Sequence, residues 1–277
     1  MGAYLRAVHT AATRTVVTFH DAGTTAAAEH AARAAWREKP LWYADALLWR
    51  RYERRLVRSI DAAVAFTARD AAVLRVRHGA PVTVVPLGIA PQPDWSTASS
   101  AGPSSLLFVG DFNHPPNEDA ARWLLDELVP ALRTRHPRLM VHLIGAHPPA
   151  WLRARAGNGV EVPGYVDDLA PYVSAATVVV APLRRGGGMR VKVLEALAGG
   201  KAVLGTSRAF EGTGVVNEQH ALVADDASSF VDGADRLLRD EELRRTLGSA
   251  ARAHVAAHLT WDHAARRYES VYERLVS

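Results

Sequence analysis

The chain has 277 residues, and its 48% apolar content is that of a packed globular protein rather than a disordered one. Its 33 basic and 29 acidic side chains leave a net charge of +4, too balanced to argue for nucleic acid or a membrane by charge alone. With no cysteine there are no disulfides, thiolate nucleophiles or cysteine metal sites, and no apolar run reaches the roughly 18 residues of a spanning helix. The N-terminus shows no signal-peptide core, so a soluble cytoplasmic protein is the expectation.

The run Thr15–Phe19 reads as a buried strand that delivers His20 at its carboxyl end, where open α/β sheets bind ligands. His20 is a candidate site residue on that ground, against the plainer reading of a turn histidine. An Ala-rich helical stretch runs to about Lys39, Pro40 breaks it, and a second helix is predicted from Leu41 to Ser59. Its Trp42, Leu48, Tyr52 and Leu56 are expected to face the core, with Arg50, Arg51, Arg54, Arg55 and Arg58 solvated behind them. The same mixture also suits a helix lying on a membrane surface, which leaves peripheral membrane contact open.

Ala62–Thr67 and Val82–Leu87 read as strands on either side of a helix from Ala68 to Arg77. The stretch Ala90–Ser104 is rich in Pro, Ser and Ala, has no apolar period, and reads as a linker. From Ser105 the rhythm is regular. Strands are predicted at 106–109, 139–144, 160–162, 177–183, 202–205 and 221–224, with helices at 118–135, from 150, and at 169–175, 228–238 and 241–257. Such alternation argues for a doubly wound parallel sheet. Gly110, Gly145 and Gly164 each end a strand, where a backbone passes close to a nucleotide. A last helix, Thr260–Val276, is expected to start at a Thr cap and to bury Trp261, Tyr268 and Tyr272. The expected domains are therefore 1–94 and 105–259, with a closing helix at 260–277 that packs back toward the first domain.

Pro182–Ala202, PLRRGGGMRVKVLEALAGGKA, combines a strand end, a glycine loop and a charged helix start. Helix N-terminal N–H groups attract anions, and glycines let a phosphate approach without meeting a Cβ. Lys192 and Glu195 share one face, while Val191, Leu194 and Ala198 form an apolar stripe. Gly199 and Gly200 read as a helix C-cap rather than a phosphate loop, because Lys201 is followed by alanine. No G-x-G-x-x-G fingerprint, G-x-S-x-G elbow or metal-ligand spacing occurs, so no metal site is expected. The basic residues are spread over many helices, so no nucleic-acid partner is expected either.

The strings FVGDFNHPPNEDA, LIGAHPP, VPGYVDD and APLRRGGGMRVKVLEALAGGKAVLGTSRAFEG, in this order and spacing, carry a family likeness. They resemble the nucleotide-sugar domain of the retaining GT-B glycosyltransferases of glycosyltransferase family 4, over nearly all of Ser105–Ser277. The resemblance implies an α/β, GT-B-like fold of two Rossmann-like domains facing across a cleft. The N-terminal one would be incomplete, since only 14 residues precede Thr15 where the family has a further strand and glycine-rich loop. It also implies transfer of a sugar from a nucleotide diphosphate-sugar donor to a hydroxyl acceptor, with retention of configuration and with neither metal nor cofactor. The acceptor would be a carbohydrate, a lipid-linked molecule or a small molecule.

By the same resemblance the diphosphate lies against Gly186–Arg190, with Gly187, Gly188 and Met189 beside it and Arg190 and Lys192 supplying charge. Glu195 would hold the ribose, Tyr165 and Val166 would lie by the base, Gly110 would lie near the phosphates, and Gly145 would line the donor site. His20 would sit near the transferred sugar and assist catalysis with Arg190 and Lys192. One departure is plain: where the family has a Glu-x7-Glu pair, Gly187 stands for the first glutamate. The alternatives left open are an epimerase or hydrolase on a GT-B-like fold, and an inactive nucleotide-binding fragment.

Overall fold

The computed structural model describes residues 14–20, 23, 27–28, 31, 36–78, 81–96 and 103–277. They form two compact units: Met1–Gly88 with Gly186–Met189 and Trp261–Ser277, and Ile89–Arg185 with Arg190–Thr260.

The first unit is built on a parallel sheet of β1 (Val16–Phe19), β2 (Ala62–Ala65) and β3 (Val82–Val84), paired in that order. Side-chain alternation on β2 divides the core. Ala63 and Ala65 pack with Phe19, Leu56, Val57, Ala71 and Leu74 from β1, α1 (Lys39–Arg58) and α2 (Ala68–His78). Val64 packs on the opposite face with Val85 and with Ala264 and Val271 of a later helix. Thr67 caps α2: its Oγ1 accepts the Asp70 N–H at 3.0 Å and donates to the Asp70 carboxylate at 2.6 Å.

The expected core stripe of α1 is corrected by the structure. Leu48 is 62% exposed and Tyr52 39%, Leu41, Tyr43, Leu47 and Trp49 are exposed too, and among the described residues of this helix only Glu53, Leu56 and Val57 are buried. A 20-residue helix is about 30 Å long. Strands of three or four residues run for about half that, so the sheet covers only the last turns of α1. The Ala-rich stretch before it lies outside the described residues except for Gly23, Ala27, Ala28, Ala31 and Trp36–Glu38.

The second unit holds a parallel sheet of six strands in the order β6-β5-β4-β7-β8-β9. These are β4 (Ser105–Val109), β5 (Met140–Ile144), β6 (Val160–Gly164), β7 (Val178–Ala181), β8 (Val203–Gly205) and β9 (Leu222–Val223). β4 and β7 occupy the middle and are almost wholly buried, which is why their sequences read as unbroken apolar runs. Their starts are tied by a reciprocal pair, Ser105 N–H to Thr177 Oγ1 at 3.0 Å and Thr177 N–H to Ser105 Oγ at 3.1 Å.

The helices of this unit are α3 (Pro115–Trp123), α4 (Val129–Arg133), α5 (Ala150–Arg153), α6 (Ala170–Ala175), α7 (Val191–Ala198), α8 (Ala227–Arg239) and α9 (Glu241–His258). The single helix expected at 118–135 instead starts at Pro115 and is interrupted by a π turn, Leu124–Leu128, that separates α3 from α4. Pro130 has no N–H and crowds the carbonyl a turn earlier, and it stands two residues after the end of that wide turn. α7 ends in a Schellman motif, with Lys201 N–H on Ala196 O, Gly200 N–H on Leu197 O, and Gly200 at φ 75°.

The closing helix, α10 (Trp261–Val276), belongs to the first unit and corrects another expectation. Ala264 and Val271 are its buried residues and Tyr268 is half-buried, its hydroxyl 2.9 Å from Thr18 Oγ1, while Trp261 and Tyr272 are 57% and 50% exposed. At 100° per residue, positions 264, 268 and 271 form one narrow stripe, and 261 and 272 lie roughly 20–40° beyond its edge, on the side of Tyr268.

The expected linker is only partly one. Ile89 N–H donates to Leu259 O and Trp95 N–H to Gly199 O, both at 2.8 Å. The buried Trp95 indole lies so close on Gly199 that an added Cβ there would stand 2.0 Å from it. Lys201 Nζ completes the anchor, donating to Trp95 O at 3.4 Å and Ser174 O at 3.1 Å. One buried aromatic binds a segment whose composition is that of a loop; residues 97–102 lie outside the described residues.

Candidate functional site

The strand order of the second unit reverses between β4 and β7, and ligands of open parallel sheets bind at such switch points, beyond the carboxyl ends of the strands. Three of the loops there are stitched by backbone hydrogen bonds. Gly110 N–H donates to Ile144 O at 3.0 Å, Phe112 N–H to Ala146 O at 2.9 Å, and Gly145 N–H to Gly164 O at 2.9 Å. Gly145, at φ 148°, passes so close to the β4 loop that a Cβ would stand 1.9 Å from Gly110 O. A Cβ on Gly110 would stand 2.8 Å from Asn117 Cγ. Close backbone packing thus accounts for both glycines, and it also leaves a bare peptide surface at this edge. Tyr165, after Gly164, is 71% exposed, and Val166 is half-buried.

The loop after β7 is held by carboxylates that the sequence reading did not single out. Arg184 makes a two-pronged contact with Asp119 of α3, 3.1 Å from Nε and 3.0 Å from Nη2, and Arg185 reaches the same carboxylate at 3.0 Å. Gly186–Met189 clusters with the first unit. Within that unit the Gly188 N–H donates to Oδ2 of the buried Asp70 at 3.2 Å, and the Leu87 N–H approaches Met189 Sδ at 3.0 Å. Gly186 and Gly188 both have positive φ, 84° and 73°, and Gly187 lies between them.

Arg190 is the N-cap residue of α7, and its Nη2 donates to Arg185 O at 2.9 Å. Two residues on, Lys192 Nζ meets the Glu195 carboxylate at 2.9 Å, the lysine half exposed and the glutamate one quarter exposed. The structure therefore pairs Lys192 with Glu195 on α7, leaves Arg190 at the N-cap bonded to Arg185 O, and brings Gly110 and Gly145 together between the β4 and β5 loops. His20 lies in the first unit at the end of β1, exposed, with its ring edge-on to Phe66 at 5.0 Å.

A further cluster sits on the stitched loops. His147 Nδ1 is 3.0 Å from Asp111 Oδ1, and His114 Nε2 is 3.9 Å from Asp111 Oδ2. The hydrogen bond from His147, followed by one from the Asn113 N–H, holds the Asp111 carboxyl below its ordinary range. His147 has φ 55°, in the left-handed region that few residues other than glycine adopt. The available signal was positional: Asp111 directly follows Gly110, and His147 follows Gly145 by two. Asp119 carried none, because its partners come from a loop 65 residues away. Among the described residues no group of three or more His, Asp or Glu could hold a metal ion, and no helix is long and apolar enough to cross a membrane.

Residues 103–240 match the family described as Glycosyl transferases group 1. Apart from Gly186–Met189, the matched stretch lies within the second unit. Among curated relatives, YtcC of Bacillus subtilis (strain 168), which bears the provisional name of a glycosyltransferase, is 37% identical over 86 residues. That match covers 30% of this chain and spans only 21% of YtcC. Among solved structures, sucrose-phosphate synthase from Thermosynechococcus elongatus aligns with a TM-score of 0.77 at 22% identity, over 99% of this chain and 70% of that one. HepE of Anabaena, in complex with UDP and glucose, aligns with a TM-score of 0.66 at 14% identity, over 95% of this chain and 72% of that one. At such identities the likeness carries the fold, an α/β architecture with parallel sheets as in GT-B glycosyltransferases. The group 1 domain and this fold together support a glycosyltransferase.

Proposed function

We propose that the chain is a family 4 glycosyltransferase that moves a sugar, hexosyl or related, from a nucleotide diphosphate-sugar to a hydroxyl acceptor, without metal and with retention of configuration. The observation that carries this reading is the start of α7, with Arg190 at its N-cap and the Lys192–Glu195 pair in its first turns, on the helix that follows the switch-point strand β7 in the stretch matched to group 1. The UDP and glucose in the HepE complex support a nucleotide-sugar as the donor class.

In this reading the donor arrives as a dianionic diphosphate beside Lys192, Arg190 and the first turn of α7. Lys192 is pre-positioned by Glu195 through an exposed bridge that is cheap to break. Its ammonium turns to the phosphates, and the released Glu195 oxygens accept the ribose hydroxyls. As the glycosidic bond to the diphosphate breaks, negative charge grows on the leaving oxygen, and fixed cations there lower the barrier. The Gly188 amide is already committed to Asp70, so its role is to set the loop's shape, while the phosphate contacts fall to α7. His20 is assigned to the transferred sugar by resemblance alone. The acceptor class stays carbohydrate, lipid-linked or small hydroxyl compound. The exposed apolar and arginine-rich α1 favours a cytoplasmic protein resting peripherally on a membrane.

The test is product analysis by NMR with UDP-, GDP-, ADP- and TDP-sugars and a panel of hydroxyl acceptors. Release of nucleoside diphosphate with a glycoside of unchanged anomeric configuration is expected. An inverted glycoside, an epimerised donor, or free sugar with no glycoside sinks the proposal. Lys192→Ala is expected to weaken nucleoside diphosphate binding about tenfold, the worth of one charge-assisted hydrogen bond. Unchanged affinity and turnover would remove Lys192 from the site.

A further inference from the structure

We propose that His147, aimed by Asp111, is an additional donor-binding residue, and that it contacts the phosphate nearest the nucleoside. The proposal rests on the nucleotide-sugar reading above and adds a residue that neither the family match nor the sequence pattern assigned.

Three observations converge. The first is conformational: His147 holds φ 55°, a backbone that glycine adopts freely and that bulkier residues take at a cost. The second is chemical. Asp111 stays ionised, being held low by its hydrogen bonds, so the His147 Nδ1 carries the proton of their 3.0 Å contact. Nε2 is then the nitrogen left for a ligand, and the side chain is 59% exposed. An ion pair this exposed adds little to stability, so it does not repay the backbone conformation as a structural device. The third is position. β5 lies between β4 and β6, and its loop is stitched to both neighbours, Ala146 O accepting from Phe112 and Gly145 N–H donating to Gly164. His147 therefore stands between the β4 loop, whose Gly110 the resemblance places near the phosphates, and the β6 loop assigned to the base.

The cluster's hydrogen bonding selects the ligand. Asp111 is partnered on both oxygens, by His147 Nδ1 at 3.0 Å from Oδ1 and by His114 Nε2 at 3.9 Å from Oδ2, which leaves His147 Nε2 as the nitrogen turned to a ligand. A phosphate oxygen accepts from Nε2 only when that nitrogen also carries a proton, taken from solvent as the ligand binds, and the phosphate's negative charge favours that doubly protonated ring. The phosphate proton count is unchanged, and no covalent bond to the ligand is made or broken at His147.

The test uses His147→Asn and His147→Gly, both of which accept a positive φ and so keep the loop's shape. Binding is measured calorimetrically with UDP, GDP, ADP and TDP, and with the parent nucleosides. Both variants are expected to bind the preferred nucleoside diphosphate about tenfold more weakly, to bind its nucleoside as the wild type does, and to melt no earlier. In turnover the loss should fall on KM, with kcat nearly unchanged. Unchanged diphosphate affinity overturns the proposal, and so does an equal loss for nucleoside and diphosphate, which would mean that the ring packs on the base. If the wild type binds none of the four diphosphates, the nucleotide-sugar reading itself fails and this assignment falls with it.

Discussion

Replacing Gly145 by alanine separates two costs that its site combines. The backbone is held at φ 148°, a region costing an alanine roughly 1–3 kcal/mol. The new Cβ would also stand 1.9 Å from Gly110 O, a backbone atom with no side-chain freedom to yield. Relief requires the β4 and β5 loops to part, which breaks or weakens the Gly110–Ile144 and Gly145–Gly164 hydrogen bonds. At about 1 kcal/mol net each, these add about 2 kcal/mol to the strain. Gly157 provides the control: it has φ 108°, but an added Cβ meets nothing within 4 Å, so Gly157→Ala carries backbone strain alone. Gly145→Ala should therefore unfold about 2 kcal/mol more easily than Gly157→Ala. Urea titration read through the indoles of Trp123 and Trp151 measures the gap, which corresponds to a midpoint difference of about 1 M. Equal destabilisation of the two variants, within 0.5 kcal/mol, would refute the claim that the loops are locked together at Gly145.

Lys201 should make the second unit more stable on the alkaline side. Burial lowers its pKa from 10.5 to about 8, so between those values the unfolded chain binds the proton that the folded one has released. Stability should rise with pH through that window, by up to about 3 kcal/mol, with the penalty of the buried charge in full force below it. Lys201→Met should lose this rise while other titrations persist, and parallel urea-stability profiles for the two proteins at pH 7.5 and 10 would contradict the assignment. The exposed residues of α1 should bind anionic vesicles at low salt and release them at high salt. The triple change Leu41→Ser, Leu47→Ser, Leu48→Ser should weaken co-sedimentation, and an absence of wild-type binding at low salt would exclude membrane contact through this helix.

Much of the parallel architecture was legible because buried strands must be apolar on both faces, as in Leu106–Val109 and Val178–Ala181. The C-cap at Gly199 and Gly200 was equally legible, since only a left-handed residue ends a helix in that way. Burial was harder to read. Leu48 and Leu56 lie on the same helix, yet one is exposed and the other buried, because a stripe reports which residues share a face and not how far the sheet beneath extends. Trp95 looked like part of a polar linker, although one indole on one glycine was enough to bind it.

The candidate site divides along the same line. Sequence alone determined the local pieces of the group 1 domain: the glycine turns after the strands and the Arg190, Lys192 and Glu195 set on one short helix. These depend on neighbours three or four residues apart and on backbone freedom, both of which are written in local order. Only the tertiary structure decided which groups hold those pieces in place. Asp119 takes both Arg184 and Arg185, Asp70 takes the Gly188 amide, and Asp111 takes His147. Each carboxylate is 36 or more residues from its partner, and such pairs form only when the fold of a unit brings elements distant in sequence side by side.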